Sequence, residues 1–82
     1  MFLYLSHHTE LLNMHQMENI GFKLKKLRES KNISQEELAE ELNISQSKLS
    51  KIENGRLRAS IPFLFRASQF FSITLSDLLQ IF

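Results

Sequence analysis

Residues 35–54, Gln-Glu-Glu-Leu-Ala-Glu-Glu-Leu-Asn-Ile-Ser-Gln-Ser-Lys-Leu-Ser-Lys-Ile-Glu-Asn, read as two short helices joined by one tight turn. Leu38, Leu42, Ile44, Leu49 and Ile52 fall at the i+3 and i+4 steps of helical faces, and the pattern breaks once, at Asn43-Ile44. Helices joined this closely cross at a steep angle, so the residue facing the crossing must be small, and Ala39 is the small residue in the pattern. The turn also needs one residue at positive φ. Asparagine reaches that region more readily than other non-glycine residues, and Asn43 stands there.

Outward from this stretch, capping signals divide the chain. Ser34 offers a side-chain oxygen to the first N–H groups of the second helix, and Glu37 completes a capping box three residues on. Ser45 plays the N-cap role for the third helix, which runs to about Glu53 and stops at Asn54-Gly55. Upstream, a first helix is expected over Ile20–Ser30, with Ile20, Leu24 and Leu27 facing inward and Lys31-Asn32 ending it. Downstream, Arg56–Ala59 reads as a basic loop. Ser60 and Pro62 then start a fourth helix to about Phe71, with Ile61, Leu64, Ala67, Ser68 and Phe71 as its inner face. Thr74 and Asp77 repeat the capping-box spacing, and a fifth helix from Leu75 to about Ile81 would close the core through Leu75, Leu78 and Leu79. No strand pattern competes, so the fold class is all-α.

Eighty-two residues make one small domain, one that buries roughly 60% of the surface its unfolded chain exposes. With no cysteine, a disulfide framework and a thiolate metal site are excluded, in keeping with a reducing, cytoplasmic setting. The apolar run Phe2-Leu3-Tyr4-Leu5 stops at Ser6-His7-His8 without a basic flank, and no stretch approaches the ~20 apolar residues of a membrane span. Residues 1–19 carry no repeat and no continuous amphipathic face, and a flexible N-terminal extension is expected there, ahead of a domain over 20–82. Met17 begins a segment that reads as a natural start, which would make residues 1–16 upstream sequence. His7, His8 and His15 lack a ligand-bearing helix or a nearby carboxylate set, so no metal site is expected and no cofactor is called for.

The formal net charge is only +1, but the charge is segregated. Lys23, Lys25, Lys26, Arg28 and Lys31 belong to the first helical segment, Glu36, Glu37, Glu40 and Glu41 to the second, and Lys48, Lys51, Arg56 and Arg58 to the third and its loop. Each cluster taken alone is an ordinary solvated helix face.

Three segments together, Ile33-Ser34-Gln35-Glu36-Glu37-Leu38-Ala39, Ile44-Ser45-Gln46-Ser47 and Ile52-Glu53-Asn54-Gly55, are far more specific than any one of them. They resemble the Cro and phage-repressor (XRE-type) family of helix-turn-helix DNA-binding proteins, closely over Ser34–Gly55 and more loosely over Ile20–Leu79. Asn43 stands where glycine is frequent in the family, and the C-terminal third is unusually aromatic. The resemblance implies a five-helix, lambda-repressor-like domain whose third helix enters the major groove. Gln46, Ser47, Ser50 and Lys51 are then the expected base readers. Gln46 leads, because an amide can donate and accept at once on the N6 and N7 edge of adenine. Matching positions put Gln35, Asn54, Arg56 and Arg58 on phosphate, with Lys48 assisting and the N–H groups near Gln35 and Glu36 favouring an anion.

The resemblance also implies an internal ion pair between Arg28 and Glu53. Phe63, Phe65, Phe70, Phe71 and Phe82, with Ile73 and Ile81, exceed what one face of two short helices hides. Related proteins dimerise through their last helices, so a homodimer through Phe70, Ile73, Leu78, Ile81 and Phe82 is expected, on a palindromic site in double-stranded DNA. The leading function is a transcriptional regulator, a repressor or autoregulator. The alternatives are an antitoxin that binds a toxin protein and a restriction-modification controller. No Gly-rich phosphate loop, cysteine nucleophile or His/carboxylate constellation argues for an enzyme.

Overall fold

The computed structural model describes residues 20–79, which hold five helices and no strand among them. They are α1 over residues 20–30, α2 Gln35–Glu41, α3 Gln46–Glu53, α4 Ile61–Phe70 and α5 Leu75–Leu79. The expectations for residues 1–19, for His7, His8 and His15, and for Ile81 and Phe82 lie outside the described residues.

The turns share one construction. Each of the first four helices ends with a residue at positive φ: Asn32 (56°), Asn43 (57°), Gly55 (75°) and Ser72 (56°). At each end two backbone bonds close the helix. Asn43 N–H donates to Glu40 O at 3.2 Å and Ile44 N–H to Ala39 O at 3.0 Å, and the same i−3 and i−5 pairing recurs at Asn32-Ile33, Gly55-Arg56 and Ser72-Ile73. This is the Schellman arrangement, which gives the last carbonyls partners and drives the next side chain back onto the helix. Ile33, Ile44 and Ile73 occupy that next position and pack against the core.

A serine or threonine then caps the following helix. Ser34 Oγ accepts from Glu37 N–H at 3.0 Å, Ser45 Oγ from Lys48 N–H at 3.1 Å and Thr74 Oγ1 from Asp77 N–H at 2.9 Å, while Ser60 Oγ accepts from Phe63 N–H at 3.2 Å. The three-residue words Asn-Ile-Ser, Asn-Ile-Ser and Ser-Ile-Thr thus end one helix, seat one isoleucine and begin the next. At α2 the box is reciprocal, with Ser34 N–H donating to Glu37 Oε1 at 3.0 Å. That bond holds the Glu37 carboxyl below its ordinary pKa.

Leu24, Leu38, Leu42, Leu49, Leu64 and Leu78 are fully enclosed at the centre of the fold. Ala39 is buried among them, as its place at the turn requires. A second small residue, which the spacing alone did not single out, matters as much. Gly21 on α1 is buried, and a Cβ there would overlap the carbonyl oxygen of Ile52 on α3. The two backbones therefore meet directly. α1 also reaches α5, where Lys23 Nζ donates to the Asp77 carbonyl, and Arg66 Nε on α4 donates to Leu42 O at the end of α2, 3.3 Å away.

Two expectations for the C-terminal helices are corrected. Ile61 is 60% exposed and does not belong to the inner face of α4, which is formed by Phe63, Leu64, Ala67 and Ser68 with Phe71 beyond. Ile61 is the first helical residue after the Ser60 cap, and its side chain points off the core before the helix has completed a turn. Leu78 has no exposed surface, so it is a core residue and cannot supply a dimer contact. Ile73 is half-buried for the same kind of reason, being the isoleucine of the third turn word.

Replacing Gly21 with alanine should force the α1 and α3 backbones apart, costing about 3 kcal/mol. Thermal melting should then show the midpoint falling by more than about 10 °C. An unchanged midpoint would contradict the close approach. Ser72→Gly should act in the opposite sense, since glycine holds positive φ without the side-chain penalty, and a gain of about 1 kcal/mol is expected in denaturant unfolding.

Candidate nucleic-acid interface

The outer surface of α3 follows from what its inner surface must hide. Leu49, Ile52 and Glu53 are buried, and Gln46, Ser47, Lys48 and Lys51 are exposed with Ser50 half-buried. At about 100° per residue, Gln46, Ser50, Asn54, Ser47 and Lys51 fall in that order across a single arc of about 140°. Lys48 lies beyond that arc. Of the expected readers and backbone contacts, four readers and Asn54 are therefore brought onto one face, and Lys48 is set at its margin.

The loop after α3 is tied back to it. Lys51 O accepts from Arg56 N–H at 2.8 Å and from Leu57 N–H at 3.2 Å, after Gly55 has turned the chain at φ 75°. Arg56 and Arg58 are both exposed just past that anchor, so two cations sit at the C-terminal end of the α3 face. Gln35, at the opposite side of the motif, is half-buried, and its Nε2 donates to Glu53 Oε1 at 3.0 Å. No spacing in the sequence points to that bond, because the two residues belong to different helices and meet only in the folded chain.

Glu53 also receives Arg28. The guanidinium donates from Nε to Oε2 at 2.8 Å and from Nη2 to Oε1 at 3.1 Å, while its Nη1 donates to Ile33 O at 2.9 Å. The Glu53 side chain has no exposure and that of Arg28 only 11%. The bond from Glu53 is the main reason the Arg28 guanidinium is held above its ordinary pKa, with burial acting against it. The charge pair and the Gln35 amide together satisfy the buried carboxylate, and among the described residues no buried side-chain polar atom lacks a partner. The last turn of the exposed α3 face is thereby fixed to α1 and to the start of α2.

Glu53→Ala would leave the Arg28 guanidinium enclosed without its carboxylate, at a cost of about 3–5 kcal/mol. Urea unfolding of Glu53→Ala beside the parent chain measures this, and equal midpoints would show that the pair carries no structural weight.

A helix-turn-helix family model matches residues 24–78. Among curated proteins, the HTH-type transcriptional activator BcrR of Enterococcus faecalis is 44% identical over 58 residues, covering 71% of this chain and 28% of that protein. The chain thus spans little more than a quarter of the length of BcrR. The control protein C.MunI of a Mycoplasma species is 42% identical over 59 residues, covering 71% of this chain and 80% of that protein. Among solved structures, the clp gene regulator ClgR from Corynebacterium glutamicum superposes with a TM-score of 0.73 at 30% identity, over 78% of this chain and 68% of that one. The family match over residues 24–78, the fold and the α2–turn–α3 geometry agree: the chain belongs to the Cro and phage-repressor type of the helix-turn-helix family.

Proposed function

We propose that this protein is a sequence-specific transcriptional regulator that reads the major groove of double-stranded DNA with α3. The observation that carries the proposal is the exposed polar arc of Gln46, Ser47, Ser50 and Lys51, held at a fixed attitude by the enclosed Arg28–Glu53 pair. Gln46 stands in the first turn of α3, where a side chain reaches deepest into the groove, and its amide suits the N6 and N7 edge of adenine. Ser47 and Ser50 are short and touch bases or phosphates at close range, and Lys51 follows one turn on. Arg56 and Arg58 neutralise phosphates on one flank and Gln35 donates to the backbone on the other, with Asn54 between them; Lys48, at the margin of the face, assists on phosphate.

Association as a homodimer belongs to the same proposal, with its contact surface moved. Leu57 (37%), Ile61 (60%), Phe65 (51%) and Phe70 (37%) are the exposed large apolar side chains of the loop and α4. On α4, Ile61, Pro62, Phe65 and Gln69 share one uncharged face, and a two-fold contact sets that face against itself without opposing like charges. A dimer through α4 would present two α3 helices to half-sites about 34 Å apart on one side of the duplex.

The names of the relatives include both an activator and a control protein. The match to a control protein favours one second reading, a controller of a neighbouring gene set that binds DNA through the same α3 face.

Selection of bound sequences from a random duplex pool at physiological salt tests the proposal. The parent should enrich a palindromic consensus, and Gln46→Ala should lose preference at one adenine-containing position in each half-site. Arg56→Ala should lower affinity evenly across sequences and flatten the log-log salt dependence by about 0.9. A folded parent protein that enriches nothing would overturn the DNA-binding reading.

A further inference from the structure

The bond between Gln35 and Glu53 goes beyond holding helices together. The Glu53 carboxylate is fully enclosed, and it collects three N–H donors from two other helices: Nε and Nη2 of Arg28 on α1, and Nε2 of Gln35 on α2. An ionised carboxylate accepts and cannot donate, so it fixes which end of the Gln35 amide turns inward. The Nε2 end faces Glu53. One of its two hydrogens is consumed there, and the other is left at a set angle in the amide plane, on a side chain that remains half open to solvent. A glutamine on an unconstrained surface would present donor and acceptor alternately. Here the acceptor-only partner selects the donor.

We infer that Glu53 is a positioning residue for DNA-backbone recognition, acting through Gln35: it orients the amide so that the remaining Nε2 hydrogen meets a phosphate oxygen. The inference rests on the proposed phosphate role of Gln35 and adds the group that enforces it. It also couples the two ends of the motif. Glu53 is the last residue of α3 and Gln35 the first of α2, so a shift in the reading helix is transmitted to the phosphate donor through one carboxylate. Arg28 contributes by holding the Glu53 carboxylate in place from the opposite side, with its own Nη1 anchored on Ile33 O.

The test separates positioning from structural support. Arg28→Met with Glu53→Met replaces the charge pair by apolar side chains, a change that buried pairs often tolerate without loss of stability, and it leaves Gln35 with no partner. Affinity is measured for the full chain on a mixed-sequence DNA duplex across a series of salt concentrations, for the parent, Gln35→Ala, the double variant and the triple variant, with melting curves to confirm that each is folded. Gln35→Ala should lose about tenfold in affinity without changing the salt slope, since a neutral amide releases no counterion. The double variant should lose a similar factor, and the triple no more than the double.

A folded double variant that binds like the parent would overturn the positioning role of Glu53 while leaving the Gln35 contact standing. Gln35→Ala binding like the parent would overturn both. Should the double variant fail to fold, nuclear magnetic resonance of the parent decides. One Gln35 Nε2 proton should be protected from exchange in the free protein, and the other should shift on addition of the duplex. Two equally labile protons in the free protein would overturn the inference.

Discussion

Everything that faces outward on α3 depends on a charge that faces inward. Glu53 sits at the end of the helix with its carboxylate enclosed, which would be prohibitive without donors, and Arg28 and Gln35 supply three of them. A buried ion pair is weak evidence for stability, because desolvation offsets most of the attraction, but removing one member is costly and its geometry is narrow. The narrowness is what serves a reading helix. Apolar contacts alone would let α3 roll by small angles at little cost, whereas a bidentate contact with a guanidinium fixed on a second helix and a backbone carbonyl does not. Gln46 and Lys51, which lie on the same helix, inherit that fixity.

The second constraint is the closeness of the backbones. Gly21 lets α1 rest on the Ile52 carbonyl, one residue before Glu53, so the close approach and the ion pair occur on the same turn of α3. Between helices, the connections built on Asn-Ile-Ser, Asn-Ile-Ser and Ser-Ile-Thr are only four residues long, since the positive-φ residue, the inward isoleucine and the next cap are consecutive. Five helices fit into sixty described residues because the connections double as core and as caps. The Asn54-Gly55 end departs from this rule. Arg56 takes the place where isoleucine stands elsewhere, and the chain runs on as an exposed basic loop instead of folding straight into another helix. The turn that breaks the pattern is the one placed beside the proposed DNA face.

Much of this was legible in the linear chain. The periodic Leu38, Leu42, Leu49 and Ile52, the caps at Ser34, Ser45, Ser60 and Thr74, and the positive φ at Asn43 are local properties, governed by residues within one or two helical turns. The fourth helix was read less well. Its Ile61, Leu64, Ala67 and Ser68 spacing fits a helical face, but which side of that face is covered depends on where α4 lies against the other helices. Phe63 took the inner place and Ile61 the outer. Leu78 fails as an interface residue for the same reason: a leucine's suitability for a core or for a partner is one chemistry, and only packing distinguishes them.

The sequence by itself determined the helical class, where the helices start, the helix-turn-helix family and the polar identity of the α3 face, because helix periodicity and capping act over three or four residues and leave a direct imprint on residue order. The tertiary structure alone decided that Gly21 must be glycine, that Gln35 turns its amide inward to Glu53, and that α4 leaves Ile61 and Phe65 exposed. Each of these rests on groups that come from different helices and meet only when all five are packed. Contacts of that kind obey distance in space, and residue order carries no direct trace of them.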